Sequence, residues 1–190
     1  MSEKCIAEVD GFPSVVKTVI KGKFVLVTLL VLVLDHLTKY IVSLNMSADP
    51  DRTVDVIPGF FRLSYVRNYG VAFGYFNDSG SAWQPYLLAA LAVVAVIVIA
   101  IYSSRMPSER VLLQTALAVT MGGILGNFID RIMRGSVVDF IDLHIRNSFR
   151  WPTFNIADSA ITIGIAMLLI DTLRHPEKDV GDEGADSLQQ

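Results

Sequence analysis

Apolar residues in this 190-residue chain fall into four long blocks separated by polar stretches. The blocks cover roughly 24–44, 85–102, 110–127 and 157–173. Each is near the ~20 residues that a helix rising ~1.5 Å per residue needs to cross a bilayer, and the last two borrow flanking residues to do so. Four transmembrane helices are therefore predicted. The stretch 45–84 reads differently. "NMSADPDRT" collects turn residues, and "DVIPGFFRLSYVRNYGVAFGYF" mixes β-branched and aromatic residues in the manner of strands, with a turn at Pro58-Gly59 and breaks at Gly70 and Gly74. A small sheet on the membrane surface is expected there. Its aromatic residues Phe60, Phe61, Tyr65, Tyr69, Phe73, Tyr75 and Phe76 are divided between an interfacial layer and the sheet's own core. A second surface-lying piece, "HIRNSFRWP" (144–152), is anchored by Trp151. A short interfacial helix is expected around 14–22, and the acidic tail 176–190 is expected to be disordered.

Composition agrees with the blocks. The chain is 52% hydrophobic and 18% charged, too little charge for an ordinary water-soluble domain, so it is read as an integral membrane protein. The net charge of −3 decides little, because in a membrane protein the position of each charge matters more. Cys5 is the one cysteine, which rules out an intrachain disulfide and a metal site built from several cysteines, and no apolar run precedes it as a lipidation signal requires. The N-terminal segment does not read as a cleaved signal, since the apolar run begins at Phe24, is long enough to span, and lacks a small-residue cleavage site after it.

Basic flanks orient the spans. Lys17, Lys21 and Lys23 precede the first, Arg105 and Arg110 bracket the turn between the second and third, and Arg174 and Lys178 follow the fourth. Positive flanks favour the cytoplasm, which places both termini and the 103–109 turn inside, and 45–84 and 128–156 outside. Arg131, Arg134, Arg146 and Arg150 run against the rule in 128–156, but three cytoplasmic assignments agree with an even number of spans.

This topology gathers the polar residues that hydrocarbon tolerates least at one face. They are Asp35 and Lys39 in the first span, Asn127, Asp130 and Arg131 at the end of the third, and Asn155 and Asp158 at the start of the fourth, with Asp139 in the connecting loop. Two carboxylates there could share a proton as an acid/base pair. Each residue also has a plainer reading. Asp139 could be a loop aspartate facing water, and spacing does not separate it from Asp142. Asn155 or Asp158 suits an N-cap. Asp35 and Lys39 are an i,i+4 pair in the favourable order, and Asn127 with Asp130 could form a structural network. Gly122, Gly123 and Gly126 permit close helix approach. His36, His144 and His175 are too dispersed for a metal centre, and P-loop, HExxH and GxSxG motifs are absent. A proton-coupled transporter would place acids near mid-bilayer, and an assembly factor would tolerate their neutralisation.

The motifs "LDHLTK" (34–39), "YVRNYGVAFG" (65–74), "GNFIDRIMRGSVVDFID" (126–142) and "FNIADSAITIG" (154–164) together resemble the bacterial lipoprotein (type II) signal peptidases over about 24–173. Val71 stands where that family more often has alanine. The resemblance implies an α-helical integral membrane protein, with four transmembrane helices, a β-rich cradle (about 45–84) and a surface-lying helical segment. It implies that Asp139 and Asp158 are the catalytic aspartates, and that Asp35, Lys39, Asn68, Gly70, Asn127, Asp130, Arg131 and Asn155 bind substrate or support the site. No metal or cofactor is expected. The implied reaction is cleavage of diacylglyceryl-modified prolipoproteins on the amino side of the lipidated cysteine, at the periplasmic face of the inner membrane, by a monomer sensitive to globomycin-type peptides. Membrane lipid is an expected partner and nucleic acid is not. Residues 1–22 and 174–190 would be cytoplasmic extensions of a 23–173 peptidase domain. Asp139, read as lying on a loop, is expected to change its approach to Asp158 when substrate binds.

Overall fold

A computed structural model describes residues 14–70, 83–145 and 148–175, with side-chain surroundings from residue 22 onward. Four helices, α1 (Ser14–Met46), α2 (Gln84–Arg105), α3 (Val111–Arg134) and α4 (Ile156–Arg174), are accompanied by strands β1 (Val54–Ile57), β2 (Phe61–Asn68), β3 (Val137–Ile145) and β4 (Phe149–Arg150). All four helices are long and apolar enough to span a membrane.

The helix ends follow local chemistry. α2 starts with a proline in its first turn and ends on Arg105, the favoured sign of charge at a helix C-terminus. α3 stops at Gly135, whose φ of 68° is left-handed and whose N–H bonds to the Arg131 carbonyl. α4 opens with a capping box. The Asn155 side chain accepts from the Asp158 N–H, and the Asp158 side chain accepts from the Asn155 N–H.

α3 is the inner helix. In its apolar window 61% of residues are buried, against 22% in α1 and α4 and 6% in α2, so the other three turn most of their apolar surface outward to lipid. Glycines let the neighbours come close. A Cβ at Gly122 would sit 2.7 Å from the Val31 Cβ of α1, and one at Gly126 would sit 2.5 Å from an Asp35 carboxylate oxygen. Gly123 faces Ala157 of α4 in the same way.

The sheet order is β1-β2-β3-β4, all antiparallel. Pro58 and Gly59, with φ 76° at the glycine, make the β1–β2 turn closed by Phe60 N–H to the Ile57 carbonyl, the pattern of a type II turn. The sheet rests on the end of α1 and the start of α4 through Val42, Met46 and Phe140, with Leu63, Tyr65, Ile141 and Ile156 packed around them.

Several expectations need correction. Residues 14–22 are not a separate interfacial helix but the first turns of α1. The third span does not end at 127; it runs to Arg134, because the polar residues of its last turns point inward to partners. Residues 128–156 are not one loop, since β3 and β4 supply half the strands of the sheet. The piece 144–152 is extended where described, with Arg150 paired to His144 and the Trp151 N–H bonded to the Leu143 carbonyl. Among the described residues no helix lies outside the four spans. Phe73, Tyr75, Phe76, Val71 and the tail 176–190 lie outside the described residues.

Candidate active site

Asp139 lies on β3, paired with Val66 of β2, and not on a loop. It is 2% exposed. Strand alternation sends Asp142, three residues on, to the other face. There Arg62 and Arg150 hold it, with His144 Nδ1 4.0 Å away. Burial pushes the Asp142 carboxyl up, but hydrogen bonds and charge from Arg150 and Arg62 outweigh it and leave it below the ordinary range. The two acids that spacing could not separate thus have different surroundings: Asp142 is saturated by arginines, while Asp139 faces amides and another acid.

A bulge decides what else faces Asp139. Between Leu63 and Val66 the β2–β3 register slips by one residue on β2. A one-residue slip exchanges the faces of a strand. In uninterrupted register Arg67 would share the face of Asp139; with the bulge Asn68 does. The Asn68 Nδ2 donates to Asp139 Oδ2 at 2.9 Å. Arg67 instead turns outward, bonds Ser136 and the Arg134 carbonyl, and lies over the Tyr69 ring. Asn68 Oδ1 in turn accepts from the Gly70 N–H, and the Gly70 carbonyl accepts from Arg131.

Asn155 joins the two acids. Its Nδ2 donates to Asp139 Oδ1 at 2.7 Å, and its Oδ1 caps the Asp158 N–H at 2.9 Å. Asp158 Oδ1 accepts from Asn127 Nδ2 at 2.8 Å, so each acid has a carboxamide donor of its own. Asn155 is fully buried and Asp139 nearly so, while Asp158 is half-buried. Burial pushes the Asp139 carboxyl up, and the Asp158 charge adds to it; the result is about 7, against hydrogen bonds from Asn68 and Asn155 that favour the ionised form.

Beneath this pair lies a buried ionic layer. Lys39 and Asp35 are both 0% exposed and meet at 2.7 Å. Lys39 Nζ also lies 2.8 Å from Asp130 and donates to Asn127 Oδ1 at 3.0 Å. That bond fixes which end of the Asn127 amide points at Asp158. Asp130 has a second cation in Arg134, and Arg131 takes a different course toward Gly70, as neighbours on a helix must. Asp35 Oδ1 accepts the Ala157 N–H of α4 at 2.9 Å, so a side chain of the first helix caps the fourth.

All ten residues singled out in the sequence come to this one end of the bundle, on the side of the sheet. Lys39 is the centre of the ionic layer. Sequence reading passed over Asp171 in α4, which is 1% exposed and paired with Arg110 at the opposite end. An acid inside the run "LLIDTL" was the available cue. Among the described residues no group of His, Cys, Asp and Glu could hold a metal ion.

The arrangement can do acid/base chemistry. It presents one carboxyl poised to hold a proton near neutrality, a second carboxyl at a helix N-terminus, and amide donors that orient both. A family model described as signal peptidase (SPase) II matches residues 27–174. A lipoprotein signal peptidase of Alteromonas mediterranea is 40% identical over 165 residues, covering 87% of this chain and 88% of that protein. One of Acinetobacter baumannii is 47% identical over 146 residues, covering 76% and 80%. Two structures of bacterial membrane enzymes solved by the in meso method superpose with TM-scores of 0.69 and 0.70 at 34% and 32% identity. They cover 84% and 81% of this chain and 94% of each neighbour. With the helices, the sheet and the acid pair in place, the match over nearly the whole described chain establishes that this protein belongs to the signal peptidase II family.

Proposed function

We propose that this chain is a membrane-embedded aspartic endopeptidase that removes the signal peptide from diacylglyceryl-modified prolipoproteins, with Asp139 and Asp158 as the catalytic pair. The observation that carries this reading is Asn155, which bonds Asp139 and caps Asp158 at once and so holds two acids from separate elements in one cluster.

Asp139 is assigned the proton and Asp158 the negative charge. Burial and the Asp158 charge push Asp139 up to about 7, whereas Asp158 accepts the Asn155 N–H in the first turn of α4, where the helix dipole favours an anion. Four carboxylates here, Asp35, Asp130, Asp139 and Asp158, face three cations, Lys39, Arg131 and Arg134. One proton on the pair therefore balances the cluster. The pair titrates as a unit. In the reaction Asp158 takes a proton from water as the water oxygen bonds to the scissile carbonyl carbon. Asp139 gives its proton to the carbonyl oxygen, forming a gem-diol. The C–N bond then breaks; the amine leaves with the proton held by Asp158, and a diol hydroxyl returns a proton to Asp139. No acyl-enzyme forms. Asp35, Lys39, Asn68, Gly70, Asn127, Asp130, Arg131 and Asn155 position the pair or the peptide.

The substrate's acyl chains remain among the lipid-facing helices, and its peptide lies across the sheet. Chain burial of about 0.8 kcal/mol per CH₂ anchors the peptide at the acids. The basic flanks support placing both termini in the cytoplasm and the sheet end at the periplasmic face of a bacterial inner membrane. The protein acts as a monomer, residues 1–22 and 174–190 extend a 23–173 peptidase domain, and globomycin-type peptides compete for the same cluster.

Cleavage of a lipidated prolipoprotein by Asp139→Asn and Asp158→Asn tests this. Each loses at least about 10²–10⁴-fold in rate. Asp142→Asn, measured per folded molecule, keeps most activity. Full activity in either of the first two, or a trapped covalent acyl-enzyme, refutes the assignment.

A further inference from the structure

The end of the bundle away from the sheet carries a buried charged pair that the proposed reaction does not use. Asp171, in the last turn of α4, pairs through Oδ2 with Arg110, the residue before α3. Its side chain is 2% exposed, yet its Oδ1 accepts no hydrogen bond, and the buried Nε of Arg110 donates none. His175 Nδ1 lies 3.7 Å from that oxygen, too far for a hydrogen bond. Both residues line a cavity of about 280 Å³ between α2, α3 and α4, walled mainly by apolar side chains such as Val98, Leu113, Leu117 and Leu168.

An open donor and an open acceptor are uncommon in buried positions and call for a partner. That partner must fill an apolar cleft, offer an anionic oxygen to Arg110 and present an N–H donor to Asp171. The pair lies where the α3 span begins and the α4 span ends, the depth at which headgroups meet hydrocarbon, and the outward-facing Val98 and Tyr102 line the cleft. Arg105 and Arg174 stand exposed at the same end and add positive potential for a phosphate. A phospholipid with a primary-ammonium headgroup meets all three requirements through one acyl segment, its phosphate and its ammonium. A quaternary-ammonium lipid has no N–H to offer, and a glycerol-headed lipid has no positive charge.

We infer that this cavity is a binding site for a single aminophospholipid, its phosphate on Arg110 and its ammonium on Asp171. Native mass spectrometry of the full chain in mild detergent, with equal amounts of ethanolamine-, choline- and glycerol-headed phospholipids of the same acyl chains, tests this. The ethanolamine lipid is expected to be retained at least fivefold over both others. Asp171→Asn should reduce that preference over the choline lipid to below twofold. Leu168→Phe narrows the apolar cleft without changing either charge, keeps the parent melting temperature within a few degrees, and should lower the selective retention of the ethanolamine lipid by at least twofold. Equal retention of the ethanolamine and choline lipids, preference for the glycerol-headed lipid, no retained lipid, or unchanged selectivity in Leu168→Phe each overturns the site.

Discussion

Lys39 holds the layer beneath the candidate pair, and its removal can be worked through. Lys39→Met keeps most of the side-chain length and removes the ammonium. Asp130 then retains Arg134 at 2.8 Å, but Asp35 retains only the Ala157 N–H at 2.9 Å and has no cation. Breaking a buried ion pair by deleting one partner costs about 3–5 kcal/mol. Because one of the two carboxylates keeps a cation, the lower end applies, about 3 kcal/mol. For a chain of this size each kcal/mol moves the melting temperature by roughly 2–4 °C, giving a fall of about 6–12 °C. Thermal unfolding in detergent measures it. Asp35→Asn supplies the second arm, since its carboxamide oxygen keeps the bond to Ala157. The double variant should be more stable than the sum of the two single losses predicts, by about 1–3 kcal/mol, because no charge is then left unpaired. A melting temperature within 2 °C of the parent in Lys39→Met, or strict additivity, would refute the claim that this lysine neutralises Asp35.

Other outcomes follow from the same geometry. Asp139 is raised to about 7 in the fold from an ordinary carboxylate value near 4, so the native state binds more protons between those limits. Its contribution to stability is complete below about pH 4 and is lost as pH rises through about 7, and unfolding midpoints measured across that range should fall. If Asp139 supplies the proton, kcat/KM for lipidated substrate also falls above about pH 7, and a level profile to pH 9 would contradict it. Gly126→Ala places a methyl 2.5 Å from an Asp35 carboxylate oxygen and 3.3 Å from the Ala157 Cβ, and should cost about 1–3 kcal/mol with loss of activity. Gly22→Ala, with nothing within 4 Å, should be neutral or stabilising by up to about 1 kcal/mol, so equal melting shifts in the two would sink the packing argument.

Much of the architecture was readable because long apolar blocks admit few alternatives in a membrane. The misreadings have physical causes. Val137 through Phe140 are buried without alternation, so β3 lacked the period-2 pattern that marks a half-exposed strand. The end of α3 was placed too early because Asn127, Asp130 and Arg131 look like the close of an apolar block. Their partners, Asp158, Lys39 and Gly70, are far away in sequence. The convergence of the ten polar residues was legible from topology together with the family motifs. Which way each pointed was not. The bulge that puts Asn68 in place of Arg67 beside Asp139 leaves no mark in the sequence, and spacing alone could not tell Asp139 from Asp142. Arg110 read as an orienting flank charge, and its pairing with Asp171 appears only when α3 and α4 are packed together.

The bond from the Ala157 N–H to Asp35 joins residues 122 apart in the chain. It makes α1 a structural requirement of α4. Until α1 docks, α4 has an unsatisfied amide in its first turn, one residue before Asp158, and Asn127 lacks the lysine that orients it. A nascent chain, a truncated product or a bundle missing α1 would carry both acids without the frame that aims them. Through this one bond, the placement of the residue before Asp158 is coupled to the docking of α1 on α4.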